Sequence, residues 1–385
     1  MIATPFTLDV SEAAVADLKH RLALARWPDE VEGSAWEYGT PMGLLKGVVE
    51  FWRESFDWRR AERRLNGFPQ FKMEVDGQII HFLHIKGVGA SVPLVLTHGW
   101  PGSFVEMYKL IPMLVDPPRN GFPNFAAFDV VVPSLPGFGF SQSPTRGGVS
   151  SRSIASTWHR LMRGLGYTRY FAQGGDIGAG VSSWMARMYP AAIRALHLNF
   201  IPSSYQPHLD GGERPLSVGE SAWLSERARW IEREGGYSHI QATKPQTLAY
   251  SLVDSPVGLA AWILEKFHSW SDGTGELSEK LDLDELLTNL SVYWFSGNVG
   301  ASLRLYKENA PEPFRFDAGE RVIPPLCYAR FPREILSPPR EWIERAYNVI
   351  RWTDMPRGGH FAALEQPGLL ARDIHESFAP FRKAA

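Results

Sequence analysis

Short apolar runs alternate with longer amphipathic segments through the middle and the end of the chain. Runs typical of buried strands cover residues 94–97, 128–132, 170–173, 195–200, 325–331 and 348–352. Segments suited to helices cover residues 104–114, 151–165, 179–189 and about 369–381. Because strands alternate with helices, the sequence predicts an α/β fold in which helices flank a mostly parallel central sheet.

The first ~90 residues follow a different pattern and look separate from the α/β segment. Ser11 precedes an amphipathic stretch that ends near residue 25, and its side chain is suited to cap a helix there. A second helix is predicted over residues 41–54. Residues 71–85 contain two strand-like runs joined by Asp76-Gly77, which is a strong hairpin signal. Aromatic residues between the second helix and the hairpin are expected to pack this region onto the rest of the protein.

Residues from about 201 to 313 interrupt the alternation of strands and helices. They are mainly helical in pattern and rich in Trp and Tyr. An insertion of this kind in an α/β sheet forms a lid over the site. The chain therefore divides into an N-terminal extension (1–90), an α/β core (91–200 and 320–385) and a helical lid (201–319).

Composition narrows the class of protein further. With 385 residues, of which 44% are hydrophobic, the chain can bury a large core. A net charge of -2 gives no bias toward nucleic acid or an acidic membrane surface. The single cysteine, Cys327, lies in an apolar run, so we expect a buried packing role and no internal disulfide.

The sequence contains no recognisable targeting segment at its N-terminus and no apolar run of about 18 residues. We therefore expect a cytoplasmic protein without a membrane anchor. The oligomeric state stays open, with a homodimer as one option.

The most informative motif is Gly174-Gly175-Asp176-Ile177-Gly178, which lies between a predicted strand and a predicted helix. In α/β hydrolases a G-x-S-x-G motif at this place exposes a serine on a sharp turn. An aspartate is already ionised at neutral pH and needs no base to attack an sp3 carbon. The ester that results can be cleaved by water, whereas a serine would leave a stable ether. The motif therefore indicates epoxides or alkyl halides as substrates, unless Asp176 only caps the helix.

Further motifs extend this pattern along the chain. They are His98-Gly99-Trp100-Pro101, RGGHFAALE at 357–365, LARWP at 24–28, FDWR at 56–59, and lid segments at 237–241, 254–261 and 305–309. With them, the chain closely resembles the microsomal-type epoxide hydrolase family, which includes the juvenile hormone epoxide hydrolases. The resemblance spans nearly the whole chain. Eukaryotic members commonly carry a membrane anchor before this region. In this respect the present sequence is expected to differ from them.

The resemblance implies roles for three side chains in the order nucleophile, acid, histidine that the fold uses. Asp176 would be the nucleophile, and His360 the base that activates water. Glu334 matches the acid that orients this histidine, while Asp354 and Asp317 remain competitors by position. His98 is expected to be structural.

The resemblance also implies roles for the lid and for two backbone groups. Tyr237 and Tyr306 match lid tyrosines that stabilise and protonate the oxygen of an opening epoxide. Without the resemblance, each tyrosine would more often serve packing. The backbone N–H groups of Trp100 and Ile177 would form the oxyanion hole. No cofactor and no metal are expected.

The leading hypothesis is an epoxide hydrolase that takes a small-molecule epoxide and water to a vicinal diol. A haloalkane dehalogenase would use the same aspartyl ester, but it would need Trp or Asn N–H donors to hold a halide. A non-catalytic ligand-binding protein on the same fold is the third hypothesis. The sequence does not identify the epoxide.

Overall fold

The computed structural model of the protein describes residues 2–209 and 215–382. The strands are β1 (Thr4–Phe6), β2 (Gln70–Val75), β3 (Gln78–Ile85), β4 (Val92–Thr97), β5 (Phe128–Pro133), β6 (Tyr170–Gly174), β7 (Ile193–Leu198), β8 (Val322–Arg330) and β9 (Tyr347–Asp354). The first six α-helices are α1 (Glu12–Ala23), α2 (Met42–Glu54), α3 (Trp58–Leu65), α4 (Leu110–Val115), α5 (Ser151–Gly164) and α6 (Asp176–Met188). The lid helices are α7 (Val218–Glu234), α8 (Gly236–Thr243), α9 (Pro245–Asp254), α10 (Pro256–Trp270), α11 (Leu277–Lys280), α12 (Leu283–Ser296) and α13 (Val299–Asn309). The last helices are α14 (Arg340–Ile343), α15 (Ala362–Glu365) and α16 (Pro367–Phe378).

The described strands form one nine-stranded sheet in the order β1-β2-β3-β5-β4-β6-β7-β8-β9. All pairings from β5 to β9 are parallel, and β1, β2 and β3 add to the edge of the sheet as antiparallel strands. The mostly parallel sheet predicted from the alternating pattern is therefore confirmed. Parallel strands that are covered on both faces are apolar along their length, and every residue of β5 and β6 is buried.

The N-terminal extension shares this sheet with the core. Strand β3 pairs with β5 through Leu83 opposite Val132 and His84 opposite Val131. The hairpin predicted around Asp76-Gly77 is present, with positive φ angles at both turn residues. The boundary near residue 90 thus separates two patterns of sequence but does not interrupt the sheet.

Aromatic side chains of the extension also contact the lid, as their expected packing role requires. The indole N–H of Trp52 donates a hydrogen bond to Ser291 of α12 at 3.0 Å. The ring of Trp58 lies 4.7 Å from that of Phe295, measured between centroids. The extension therefore braces both the sheet edge and the lid.

The lid segment connects to the core through a short paired stem. The N–H of Gln206 donates to the carbonyl of Phe314 at 2.9 Å, and the N–H of Phe316 donates back to Gln206 at 3.0 Å. The incoming and outgoing chains therefore run side by side where the lid begins and ends. Within the described residues, no single helix passes a length and hydropathy test for crossing a membrane, although α9 and α10, bent by 116°, pass it together.

Some predicted boundaries differ from those observed. The predicted helix at 104–114 is a 3-10 turn, Phe104–Met107, followed by the separate helix α4. Helix α6 begins at Asp176 itself, three residues before its predicted start. Strand β7 ends at Leu198, so Asn199 and Phe200 lie in the loop that leads toward the site.

Candidate active site

The turn between β6 and α6 presents Asp176 above the carboxyl ends of the parallel strands. Its φ angle is 47°, in a region that non-glycine residues rarely occupy. A Cβ at Gly178 would overlap the backbone carbonyl of Thr97, so only glycine lets the helix approach β4 this closely. The neighbouring sequence thus forces a strained, partly buried position on the aspartate, as in a nucleophile elbow.

The loop after β4 holds one oxygen of this carboxylate. The backbone N–H of Trp100 donates a hydrogen bond to Asp176 Oδ1 at 2.8 Å. The loop is anchored by α12 of the lid, because Asn289 donates to the carbonyl of Pro101 at 2.9 Å and the Tyr293 hydroxyl donates to that of Gly102 at 2.8 Å. The backbone N–H of Trp100 is therefore directed at the Asp176 carboxylate.

Ile177 directly follows Asp176 in the first turn of α6. The first N–H groups of a helix have no partner within the helix. This backbone group is therefore available beside the carboxylate, at the same end of α6.

His360 lies on the other side of Asp176, in the loop after β9. Its Nε2 is 3.5 Å from Asp176 Oδ2, and its Nδ1 is 2.6 Å from Glu334 Oε1. The backbone N–H of His360 donates to the carbonyl of Trp270 at 2.9 Å, and the two rings pack edge to face at 5.1 Å. The imidazole is thus fixed between two carboxylates with one nitrogen directed at each.

The charges around His360 favour its protonated form in the resting protein. Burial alone would lower the pKa of His360, but Glu334 and Asp176 outweigh this effect and raise the pKa well above its usual value. The shift depends on both carboxylates being ionised. A change that neutralises Asp176 removes part of it.

Distances distinguish Glu334 from the two aspartates that compete with it in the sequence. Glu334 lies just after β8 and is buried against His360. Asp354 is exposed and pairs with Arg330 at 2.5 Å instead. Asp317 lies in an exposed turn, where its N–H donates to Glu320. Of the three, the structure brings Glu334 to the histidine.

Tyr237 and Tyr306 come from two lid helices, α8 and α13. Their rings pack edge to face with centroids 5.9 Å apart. The ring of Trp100 stacks on Tyr237 at 5.5 Å, which links the lid to the loop beside Asp176. Burial raises the pKa of both phenols well above the usual range, and the charge of Asp176 adds to the shift. Both groups therefore remain protonated and able to donate.

Two cavities meet at Asp176. The large cavity, about 460 Å³, is lined chiefly by aromatic and aliphatic side chains and includes Tyr237 and Tyr306. The small cavity, about 20 Å³, includes His360 and Glu106. The carboxylate of Asp176 lines both. The predicted site residues are thus brought together, with the tyrosines on one side of the carboxylate and the histidine on the other.

His98 also lines the small cavity, but its contacts are structural. Its Nε2 accepts the N–H of Leu135 at 3.2 Å. Burial lowers the pKa of His98 to about 4, so the ring is neutral and acts as an acceptor. This agrees with the structural role expected for it.

Sequence reasoning missed two glutamates near His360. Glu365 ends the RGGHFAALE motif, and its carboxylate accepts the backbone N–H groups of Asp272, Gly359 and Phe361 at 2.7 to 3.0 Å. Its place within a motif already tied to the histidine was an available signal. Glu106 carries no such signal, because only the fold brings it to the small cavity.

The fold defines the broad class of this protein. A mostly parallel sheet, an elbow after β6 and a helical lid between β7 and β8 define an α/β hydrolase. In agreement, residues 92–211 match the family described as alpha/beta hydrolase fold. Residues 3–107 match a second family, described as Epoxide hydrolase N terminus.

Relatives along the whole chain define the family. A putative epoxide hydrolase of Stigmatella aurantiaca (strain DW4/3-1) is 44% identical over 98% of this chain and 85% of its own length. Epoxide hydrolase 1 of Oryctolagus cuniculus is 40% identical over 96% of this chain and 87% of its own. The crystal structure of juvenile hormone epoxide hydrolase from the silkworm Bombyx mori superposes with a TM-score of 0.88 at 32% identity, covering 99% of this chain and 95% of that one. This chain belongs to the epoxide hydrolase family, whose general mechanism proceeds through a covalent ester.

Proposed function

We propose that this protein converts an epoxide to a vicinal diol through an ester on Asp176. The observation that carries the proposal is the position of one carboxylate between two phenols and a histidine–glutamate pair. Such an arrangement supplies a nucleophile, proton donors for the opening ring and a base for water.

In the first half-reaction, a carboxylate oxygen of Asp176 attacks one epoxide carbon from the large cavity. The ring C–O bond breaks, and the released oxygen takes a proton from Tyr237 or Tyr306. The product is a hydroxyalkyl ester. The raised pKa of both phenols keeps them protonated until the alkoxide forms, which is a much stronger base.

In the second half-reaction, water attacks the aspartyl carbonyl carbon. One water proton passes to Nε2 of His360, and Glu334 stabilises the imidazolium. The N–H groups of Trp100 and Ile177 stabilise the oxyanion. When the ester C–O bond breaks, the diol leaves with the remaining water proton, and His360 keeps the proton that it took from water, which restores its protonated resting form.

Esterification also prepares the base. In the resting protein, Asp176 helps to raise the pKa of His360. Once Asp176 is an ester, that negative charge is gone and the pKa of His360 falls. The histidine then gives up its proton, which passes through solvent to the phenolate, and is neutral at the stage at which it must accept a proton from water.

The large cavity indicates the substrate class. Its size of about 460 Å³ and its aromatic and aliphatic lining suit an apolar epoxide of drug or lipid size. We propose such compounds as substrates in preference to small, hydrophilic epoxides.

A single turnover in water enriched in oxygen-18 tests the proposal. With enzyme in excess, the first diol should carry ordinary oxygen, and the peptide containing Asp176 should gain oxygen-18. Oxygen-18 in the first diol would instead mean direct attack of water on the epoxide. It would contradict the ester.

One observation favours haloalkane dehalogenation as a second candidate. The indole N–H groups of Trp100 and Trp270 are buried and have no hydrogen-bond partner among the described residues. Donors of this type can hold a halide. Parallel assays of halide release and diol formation on matched substrates separate the two activities. We expect diol formation to dominate, because both phenols line the large cavity together with Asp176.

A further inference from the structure

We propose that Glu106 holds, together with His360, the water molecule that cleaves the aspartyl ester. The inference rests on the proposed function and adds a residue to its second half-reaction. It concerns the small cavity, which the tyrosines do not line.

The position of Glu106 follows from the loop after β4. Glu106 lies in the 3-10 turn Phe104–Met107, and its side chain folds back against Gly102. A Cβ at Gly102 would overlap the Glu106 carboxyl, so a glycine is required for this side chain to lie there. The Tyr293 hydroxyl holds the Gly102 carbonyl, which fixes the backbone against which the Glu106 side chain lies.

The small cavity has the size of one water molecule. Its volume is about 20 Å³, and a space of roughly 10–15 Å³ is enough to hold one water when polar groups surround it. Glu106, Asp176 and His360 all line it, so a water there faces the nucleophile, the base and a second carboxyl. Attack on the aspartyl carbonyl from this cavity approaches from the side away from the phenols.

The hydrogen-bonding capacity of Glu106 is otherwise unused. Among the described residues, no side chain or backbone group makes a hydrogen bond to its carboxyl. A carboxyl removed from bulk water without a partner is costly, and such groups normally bond to a protein group or to an ordered water. Glu106 keeps part of its accessible surface, as expected for a group that borders a cavity.

The charge state suits a water-holding role. Burial raises the pKa of Glu106 to about 8, with Asp176 adding to the shift and His360 opposing it. Glu106 is therefore mainly a neutral acid at pH 7. Its carbonyl oxygen can accept the second O–H of the water while the first points at Nε2 of His360. A neutral group also avoids repelling the oxyanion that forms on Asp176.

The step balances without any further reactant. The water oxygen forms a bond to the carbonyl carbon of the ester, and one water proton moves to His360. The second proton stays on the oxygen and is hydrogen-bonded to Glu106. Glu106 thus orients the attacking lone pair and is neither acid nor base in the transfer.

The test uses the Glu106→Leu variant. Rapid quench and intact-protein mass spectrometry measure its rates of ester formation and ester hydrolysis separately. Leucine has a similar shape but cannot hold water. We expect the ester to form at a rate within about threefold of the wild-type rate and to be hydrolysed about 10- to 100-fold more slowly, the range for losing one hydrogen bond at a reacting group. The ester should then accumulate during turnover. Glu106→Gln, which retains a carbonyl oxygen, should recover most of the lost hydrolysis rate.

Met107→Leu is the matched control, because Met107 lines the same cavity without a polar group. It should leave both rates within about threefold. Equal slowing of both half-reactions in Glu106→Leu, or no slowing of hydrolysis, would overturn the role of Glu106. Absence of any ester in the wild-type protein would instead overturn the proposed function, so the two failures are distinct.

The pH profile gives a second readout if Glu106→Leu does not fold. The charged or titratable groups coupled to Glu106 are Asp176, His360 and Tyr293. Below a pH of about 8 the carboxyl is neutral, and above it the carboxyl ionises and opposes the oxyanion. Ester hydrolysis in the wild type should therefore fall above this pH, and the fall should be missing in Glu106→Gln. Superimposable profiles would count against the proposal.

Discussion

The two cavities that share Asp176 differ in size, in lining and in the parts of the chain that build them. The large one is bounded largely by lid helices and is mainly apolar, whereas the small one is bounded largely by loops after β4 and β9 and has a mixed polar and apolar lining that includes Glu106, Asp176 and His360. In the proposed mechanism, a single carboxylate thus meets an organic substrate on one side and water on the other. This separation means that substitutions in each cavity should affect one half-reaction and spare the other.

The largest expected effect comes from the residue common to both cavities. Asp176→Ala should lower diol formation by on the order of 10⁴-fold or more, because no nucleophile remains to form the ester. Incubation with substrate followed by intact-mass measurement should show no adduct. Asp354→Asn is the matched control, since Asp354 is exposed and pairs only at the surface. An adduct that persists in Asp176→Ala would contradict the assignment.

Removing the base should affect the small-cavity half-reaction alone. His360→Gln should slow ester hydrolysis by about 10³-fold, since general-base assistance is worth about 10² to 10⁴. The ester should accumulate and add the mass of the substrate to the protein. Full turnover without a trapped adduct would show that another group activates water.

Changes to the phenols should slow ester formation and not ester hydrolysis, the opposite of removing the base. Tyr237→Phe and Tyr306→Phe should each slow ester formation by about 10- to 100-fold, and the double variant should slow it further. Hydrolysis of a preformed ester should be unchanged, and no ester should accumulate. Tyr250→Phe is the control, because Tyr250 is an exposed lid tyrosine. If ester accumulated in the phenol variants, the division between the cavities would be wrong.

The smallest expected effect comes from the loop that carries His360. Glu365→Gln weakens the backbone hydrogen bonds that shape the loop around Gly359. It should slow ester hydrolysis by about 3- to 10-fold and leave ester formation nearly unchanged. Single-turnover rates of ester formation and ester hydrolysis measure this effect. A melting curve checks that the variant is folded. Equal loss in both steps would indicate a general structural defect.

Much of the site was predictable because its residues lie in local patterns. The elbow around Asp176 combines a strand, glycines and a helix, and each leaves a trace in the sequence. The buried position of Cys327, whose pKa burial raises to about 11, followed from its apolar neighbours. Such features depend on segments of only a few residues.

Other features depend on contacts between distant segments and left no comparable trace. The choice of Glu334 over Asp354 needed a distance, because Glu334 follows β8 and Asp354 ends β9, at the same end of two neighbouring strands. Helix α3, with the sequence WRRAERRL, and the three-residue strand β1 are too short or too polar for a clear periodic pattern. In the sequence, Glu106 is only a residue of a short turn. The cavity beside it exists only in the folded protein.

The paired stem at Gln206 and Phe314 has a consequence for how this architecture can diversify. Its hydrogen bonds join main-chain atoms, so they tolerate many side chains at those positions. Lid segments between the two arms that do not contact the loops after β4 and β9 can therefore be lengthened, shortened or resurfaced while the ends keep a fixed spacing. New substrate preferences can arise in those segments, provided that Trp270 and helix α12, which hold His360 and the loop after β4, stay in place.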